Sequence, residues 1–303
     1  MDPSKKRVDA VSSGTASAGG RWIEAGTLYV VATPIGNLAD VGGRAADVLR
    51  GVDLIACEDT RHARVLLDHL GVRKELLALH EHNERSATAT LRERLAKGAS
   101  VALVSDAGTP AISDPGQLLV ADLIEAGIPV SPVPGPSAVV AALSVSGLPA
   151  RPFWFEGFLP AQDKARRERL SALATEPATL VFYEAPHRIA RGLAACAERL
   201  GGDRPAVVAR ELTKRFEQVV HGTLDALTAA VADGTIPAKG EFVIVVGPPA
   251  ETGENDAADA DALIDALINE GVAPKSIARV VSRTTSLSRN AVYAEVLARR
   301  GSR

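Results

Sequence analysis

The sequence predicts an α/β protein with two α/β domains and a small helical module at its C-terminal end. Strands alternate with helices from Thr27 onward, a pattern typical of a largely parallel sheet. A proline-containing segment, residues 149–152, interrupts this alternation and indicates a domain boundary. From Val272 onward one acidic residue, Glu295, stands against one lysine and six arginines. We expect a disordered extension at 1–22, domains at 23–149 and 150–250, and an acidic linker with a basic helical module at 251–303.

The composition narrows the class of protein. With 303 residues, of which 46% are hydrophobic, the chain can form more than one core, and no apolar run is long enough to span a membrane. The first residues are polar and lack the apolar segment of a signal peptide. Cys57 and Cys196 stand alone in apolar patterns, which predicts buried free thiols in a reducing compartment. His80 and His82 have no companion ligands, so we expect no metal site.

The first domain is expected to form a parallel sheet with helices between its strands. Right-handed crossovers bring the carboxyl ends of parallel strands to one edge, where open α/β sheets bind ligands. That edge therefore predicts a small-molecule site. The expected strands are 27–32, 52–57, 76–79, 101–104 and 128–133, and the expected helices are 45–51, 61–70, one ending at 97, 117–126 and one after 137.

Four loops at this edge are rich in glycine, proline, serine and aspartate. Glycine allows close approach of the backbone to a ligand, and proline holds a loop rigid. A single such loop would do no more than end a strand, whereas four on one edge favour a ligand. None contains a dinucleotide fingerprint or a Walker motif. The loops are residues 33–37, 58–61, 105–116 and 134–137.

The second domain is expected to be mixed α/β, because a hairpin strand interrupts the alternation. Its expected strands are 153–158, 179–183, 206–212, 216–222 and 241–246, with helices 164–173, 189–200 and 224–232. Beyond it, residues 251–271 carry seven acids and no base. We expect a linker first, then a helix from Asp261 to Asn269. Two short helices around residues 284–287 resemble a helix-turn-helix, with Ser288 capping the second.

Three polar clusters at strand ends could carry chemistry. Glu58 and Asp59 could accept a proton from a substrate hydroxyl, although acids at a helix start are also favoured by the helix dipole alone. The crowding of Glu184 and His187 beside a tyrosine modestly favours function. Arg210 and the nearby Lys214 could contact phosphate groups. Alternatively, they are charged residues of the kind that often follow a strand at a sheet edge and have no function.

Five ordered motifs resemble those of the tetrapyrrole methylase superfamily, in the branch that methylates ribosomal RNA. The resemblance runs from about Gly26 to Gly247 and includes the terminal helical module. The motifs are Thr-Pro-Ile-Gly-Asn-Leu at 33–38, Glu-Asp-Thr-Arg at 58–61, the loop from Ser105 to Gly116, Pro-Gly-Pro-Ser-Ala at 134–138 and Tyr-Glu-Ala-Pro-His-Arg at 183–188.

The resemblance implies two tetrapyrrole-methylase-type domains with S-adenosylmethionine bound in the cleft between them. It implies 2′-O-methylation of a cytidine ribose in the decoding region of 16S rRNA. It further implies a cytoplasmic homodimer whose partner is 16S rRNA or the small ribosomal subunit. By position, the cofactor residues would be Pro34, Gly36, Asp106, Gly108, Thr109, Ser137, Ala138, Tyr183, Leu212 and Phe242.

Within that resemblance, the base candidates are Glu58, Asp59 and Glu184, with His187 behind them. Two other functions stay open: methylation of a small tetrapyrrole, which would not need the basic tail, and non-catalytic RNA binding, which would not need the methyl donor. The expected RNA contacts are Arg61, Arg188, Arg210, Lys214, Arg279, Arg283 and Arg289.

Overall fold

The computed structural model describes residues 23–80, 82–250, 253–285 and 287–301. The extension expected at 1–22 lies outside these residues. Packing divides the chain into two units, one ending at Pro248 and one beginning at Pro249. Within the described ranges, no helix is both long enough and apolar enough to cross a bilayer.

The first sheet contains five parallel strands in the order β3-β2-β4-β1-β5. All residues of β2 and β4 are buried, as expected for the centre of a sheet covered on both faces. The four expected loops follow β1, β2, β4 and β5, so their predicted clustering at one edge is confirmed. The strands are β1 (Leu28–Val31), β2 (Leu54–Cys57), β3 (Glu75–Ala78), β4 (Val101–Val104) and β5 (Val130–Val133).

Four helices cover the two faces of this sheet. One pair packs apolar residues against one face, and the other pair packs leucines against the opposite face. The two cores explain why the strands read as continuous apolar runs. On the first face lie α1 (Gly43–Gly51) and α2 (Thr60–His69), and on the second lie α3 (Glu84–Ala96) and α4 (Gln117–Glu125).

The second sheet is mixed, with the order β6-β7-β10-β8-β9 and only β6 and β7 parallel. The predicted hairpin is present as β8 and β9. Strand β8 ends at Arg210 and not at Leu212, because Glu211 and Thr213 have positive φ angles. The strands are β6 (Phe153–Phe158), β7 (Thr179–Glu184), β8 (Pro205–Arg210), β9 (Gln218–Thr223) and β10 (Phe242–Val246), with helices α6 (Asp163–Leu173), α7 (Ile189–Leu200) and α8 (Leu224–Ala232) on one face.

Helix α5 (Ala138–Ser146) packs on the other face of this second sheet. Its buried residues Val139, Ala142 and Leu143 share a core with strands β7, β8 and β10. The sequence had placed this helix in the first domain, because it follows the last strand of the first sheet. Because the apolar face of α5 is buried against the second sheet, we propose that this helix belongs with the second domain.

The C-terminal unit contains three helices around its own apolar core. The first begins at Gly253, so the expectation of a linker before Asp261 is corrected: the acidic segment continues a helix that is anchored by Ala260, Ile264 and Ile268. The hydroxyl of Ser288 accepts a hydrogen bond from the Ala291 N–H at 3.2 Å, which confirms the predicted cap. The helices are α9 (Gly253–Asn269), α10 (Pro274–Thr284) and α11 (Arg289–Gly301).

Candidate active site

The strand-end loops of the first sheet are joined to one another by hydrogen bonds. The Thr33 N–H donates to the Gly108 carbonyl at 2.8 Å, and the Gly108 N–H donates back at 3.1 Å. The Thr109 hydroxyl donates to the Pro136 carbonyl at 3.3 Å. Gly135 lies so close to β1 that a Cβ there would be 3.1 Å from the Ala32 Cβ. The loops after β1, β4 and β5 therefore form one rigid surface.

A first cavity of about 330 Å³ opens between these loops and the ends of β7, β8 and β10. Its size falls within the range of small-molecule sites. Eight of the ten expected cofactor residues line it, while Pro34 and Gly36 do not. Those eight are Asp106, Gly108, Thr109, Ser137, Ala138, Tyr183, Leu212 and Phe242.

The polar lining of the first cavity is acidic. Asp106, Asp114, Glu184 and Glu241 belong to it, and among the described residues no lysine or arginine does. Burial raises the pKa of Asp114, partly offset by a hydrogen bond from Ser105. The rest of the wall is largely apolar and includes Ile35, Ile112, Phe158 and Val243. Such a cavity suits a cationic ligand with an apolar part.

Tyr183 closes one side of this cavity. Its ring makes edge contacts with Phe155 and Phe158, at centroid distances of 4.9 and 5.6 Å. Burial, with a smaller effect of Asp114, raises the pKa of Tyr183 to about 12. The phenol therefore stays protonated at neutral pH and can donate a hydrogen bond, but it cannot act as a base.

A second cavity, of about 540 Å³, adjoins the first. The two cavities share Ile35, Asp106, Ala107 and Glu241. Pro34 and Gly36, which were expected at the cofactor, line this second cavity instead. The remaining polar residues of this lining include Thr33, Ser105, His62 and Lys214.

The start of α2 forms a charged network beside the second cavity. Asp59 caps the helix by accepting a bond from the Arg61 N–H at 2.8 Å, and its carboxylate also pairs with the Arg61 guanidinium. This pairing holds the pKa of Asp59 well below its usual range. The Asp59 N–H donates to Asp106 Oδ1 at 3.2 Å, and His62 Nδ1 lies 2.7 Å from Asp106 Oδ2. Glu58 lines neither cavity.

Glu184 has a structural environment at the end of β7. It is 2% exposed, and its carboxylate lies 3.0 Å from the Arg188 guanidinium. Burial raises the pKa of Glu184, and Arg188 offsets this only in part. Arg188 also donates to the Leu159 carbonyl. His187 is exposed and lies outside both cavities. The expected pairing of Glu184 and His187 as catalysts is not favoured, because the former is in a buried ion pair and the latter faces solvent.

Two further expected RNA contacts are also engaged within the protein. Arg210 donates to the Lys239 and Phe216 carbonyls at 2.6 and 3.1 Å. The Lys214 ammonium lies 2.9 Å from Glu211 and 3.0 Å from Glu241, at the second cavity. Arg61 is exposed, although it pairs with Asp59. Among the expected RNA contacts before the C-terminal unit, Lys214 lines the second cavity and Arg61 lies in the charged network beside it.

The basic residues of the C-terminal unit are of two kinds. Arg299 pairs with Asp261 and Asp265 on α9 and with Glu295 on its own helix, so it joins α11 to α9. By contrast, Arg279, Arg283 and Arg289 are exposed, and within the described chain no ion pair engages them.

Three ionisable residues of the cavities were not among the expected site residues: His62, Asp114 and Glu241. His62 follows the Glu-Asp-Thr-Arg motif directly, and Asp114 lies inside the loop from Ser105 to Gly116, so a motif pointed to the position of each. Glu241 precedes the last strand without any motif, and only the fold brings it to the cavities. Among the described residues, no group of three potential ligands has the arrangement of a metal site.

Comparison with known proteins agrees with this geometry. A family model described as Tetrapyrrole (Corrin/Porphyrin) Methylases matches residues 27–228. Diphthine synthase has a similar crystal structure, with a TM-score of 0.58 at 16% identity, over 73% of this chain and 90% of that one. The crystal structure of uroporphyrin-III C-methyl transferase from Thermus thermophilus, complexed with S-adenyl homocysteine, is also similar, with a TM-score of 0.53 at 21% identity. The match covers 73% of this chain and 97% of that one. The fold is that of the tetrapyrrole methylases, as the sequence predicted.

Relatives with higher identity define a narrower group. Ribosomal RNA small subunit methyltransferase I of Xylella fastidiosa is 54% identical over 275 residues, which cover 88% of this chain and 98% of the relative. The protein of the same name from Pseudomonas aeruginosa is 48% identical over 281 residues, covering 92% and 99%. The chain therefore belongs to the ribosomal RNA small subunit methyltransferase I family, within the tetrapyrrole methylases.

Proposed function

We propose that this protein uses S-adenosylmethionine to methylate the 2′-oxygen of a cytidine ribose in the decoding region of 16S rRNA. The observation that carries the proposal is the pair of adjoining cavities, which share Asp106 and Glu241. The first cavity is lined by acidic residues, and the second lies beside the charged network at the start of α2. Names of relatives that act on small-subunit rRNA support the substrate. The choice of cytidine and of the 2′-oxygen rests on the family resemblance.

The first cavity is proposed to hold the methyl donor. Carboxylates such as Asp106 and Asp114 suit its ammonium and sulfonium charges, and the apolar wall suits its adenine ring. When bound, the donor supplies a methyl group on a positively charged sulfur. The protein contributes alignment of the acceptor with that methyl group.

The second cavity is proposed to receive the target nucleotide. An enzyme that acts on one nucleotide needs it out of its stack, in a pocket of its own. Pro34 and Gly36 form part of the wall, and the side chain of Lys214 also lines the cavity. We therefore assign Pro34 and Gly36 to the site of the acceptor nucleotide and not to the site of the methyl donor.

The wider grip on RNA is proposed to come from exposed cations. Arg279, Arg283 and Arg289 are available on the C-terminal unit, and Arg61 lies at the start of α2. Arginines bind phosphates without regard to sequence, so they position the RNA and leave the choice of nucleotide to the cavity. Arg188 and Arg210 are left out of this set, because they bond to carbonyl groups of the protein.

Donor binding can be tested by calorimetry with S-adenosylhomocysteine. Ala138 lines the first cavity, so Ala138→Phe should fill part of it and weaken binding by at least about tenfold, or 1.4 kcal/mol. Val140, on the same helix but exposed, provides the matched control, and Val140→Phe should bind as the wild type does. If both variants bound S-adenosylhomocysteine with equal affinity, the assignment of the donor to this cavity would be wrong. No binding by the wild type would favour a non-catalytic RNA-binding protein.

Methyl transfer can be tested with unmethylated 16S rRNA, small ribosomal subunits and a small tetrapyrrole as parallel substrates. Nucleoside mass spectrometry should detect 2′-O-methylcytidine with the ribosomal substrates and no product with the tetrapyrrole. Methylation of the tetrapyrrole alone would establish the alternative substrate. Homodimer formation and a cytoplasmic location are proposed on the family resemblance, and sedimentation equilibrium and cell fractionation test them.

A further inference from the structure

We propose that His62, held by Asp106, is the general base that removes the proton from the acceptor hydroxyl. The inference rests on the proposed function and adds a residue role to it. A ribose hydroxyl is a weak nucleophile, so a base at the acceptor would assist the displacement. The argument depends on where the cavities meet and on which side chains are available there.

His62 and Asp106 lie at the boundary between the two cavities. Asp106 lines both, and His62 lines the second. If the donor occupies the first and the nucleotide the second, the reacting atoms meet beside this pair. Glu58 and Asp59, the carboxylates expected from the sequence, line neither cavity.

The pair is fixed by hydrogen bonds. His62 Nδ1 lies 2.7 Å from Asp106 Oδ2, and the other carboxylate oxygen accepts the Asp59 N–H at 3.2 Å. A carboxylate bound in this way favours the tautomer with hydrogen on Nδ1, which leaves the Nε2 lone pair available. Among the described residues, none bonds to Nε2. The imidazole side chain is 63% exposed, so a bound nucleotide can reach it.

The other ionisable groups near the acceptor site are less suited to the task. The carboxylate of Asp59 is neutralised by Arg61, which makes it a weak base. The Lys214 ammonium is paired with the carboxylates of Glu211 and Glu241. Around the imidazole, the Asp106 carboxylate raises the pKa of His62 above its usual value; Asp59 contributes in the same direction and Arg61 opposes it.

The proposed step balances as follows. The acceptor O–H bond breaks as the oxygen forms its bond to the methyl carbon. The proton passes to His62 Nε2, and the electron pair of the broken carbon–sulfur bond stays on sulfur. Asp106 then stabilises the imidazolium through its bond to Nδ1. Because the base must start neutral, the rate should rise with pH through the raised pKa of His62.

The test compares His62→Gln with His69→Gln, an exposed histidine at the opposite end of α2. Single-turnover methyl transfer to small ribosomal subunits is measured with saturating donor, from about pH 6 to pH 9, across the usual titration range of histidine. His62→Gln should lower the rate at least about 100-fold and remove the histidine-dependent rise with pH. Its affinity for S-adenosylhomocysteine should stay at the wild-type value, and His69→Gln should behave as the wild type.

A second readout does not depend on activity. NMR titration of the histidine side chains should show that the pKa of His62 falls in Asp106→Asn, because the carboxylate that stabilises the imidazolium is gone. A His62→Gln enzyme with the wild-type rate, or a pKa of His62 unchanged in Asp106→Asn, would overturn the inference and leave the proposed function standing. A wild-type protein that binds donor and RNA but transfers no methyl group would overturn both.

Discussion

At the scale of residues, acids with similar positions in the sequence have different environments. Asp59 follows strand β2 and Glu184 ends strand β7, and each pairs with an arginine. Asp59 is at the surface, where Arg61 and the helix N-terminus hold its pKa down. Glu184 is buried, and its burial raises its pKa in spite of Arg188. Only the folded structure separates a capping acid from a buried ion pair.

Replacing Arg188 by methionine should destabilise the protein by about 3 kcal/mol, because the Glu184 carboxylate would remain buried without its partner. Urea unfolding measures this loss. Arg191, exposed on the same helix, is the control, and Arg191→Met should change the stability by less than about 0.5 kcal/mol. An Arg188→Met protein of normal stability but poor RNA binding would contradict the structural role.

A Cβ at Gly36 would lie 2.4 Å from the Lys214 Cγ, and its φ of +156° disfavours other residues. Gly36→Ala should therefore displace Lys214 and raise the KM for the ribosomal substrate. In a Lys214→Ala background the same change should raise this KM less. The coupling energy between the two substitutions should be about 0.5 kcal/mol or more. Strictly additive effects in this double-mutant cycle would show that the two residues do not interact.

The sequence identified residues that the fold brings to the first cavity, but it did not identify the pair of His62 and Asp106. Eight of the ten residues that the resemblance assigned to the cofactor line the first cavity, because they lie at or near the ends of strands that border it. His62 and Asp106 are 44 positions apart, on loops after β2 and β4, and nothing in either motif indicates that the side chains meet. Contacts of this kind depend on strand order, which short motifs do not determine.

At the scale of elements, the loop that follows β4 (residues 105–116) is fixed at its far end by a neighbouring helix. Glu84, in the first turn of α3, accepts bonds from the N–H groups of Gly116 and Leu118 at 2.8 and 3.2 Å. It therefore caps α4 from outside, because Gly116 has no side chain to do so. Sequence periodicity predicted both helices, but not this cap, nor the packing of α5 on the second sheet.

Glu84→Ala should lower the free energy of unfolding by about 1 kcal/mol, since two N–H groups at the start of α4 lose their acceptor. It should also weaken donor binding, because the loop ending at Gly116 lines the first cavity. Glu93→Ala, on the same helix, removes only an exposed pair with Lys97 and should change neither quantity appreciably. Denaturant titration and calorimetry compare the two variants; equal stability would contradict the proposed cap.

At the scale of the whole molecule, the proposal assigns different tasks to different parts of the chain. The two sheets provide the cavities, and the C-terminal unit provides exposed arginines on a core of its own. The alternation of elements and the charge of the tail made this division predictable. The fold class was confirmed, whereas the start of α9 was not anticipated, because acidic residues obscured its helical pattern.

Changing Arg279 and Arg283 together to glutamine should weaken binding of rRNA without affecting donor binding. If each contacts one phosphate, the slope of log affinity against log salt should fall by about 1.5 to 2 in magnitude. Arg50→Gln, on α1 and paired with Asp47 at the surface, serves as the control for loss of a positive charge. An unchanged salt slope in the double variant would remove the C-terminal unit from the proposed RNA contacts.

The most direct test of the central claim is a map of ribose methylation on 16S rRNA from cells with and without this protein. The account predicts that one cytidine of the decoding region loses its 2′-O-methyl group when the protein is absent. The group should return on expression of the wild type, but not of His62→Gln. A map in which no position changes would contradict the proposed function.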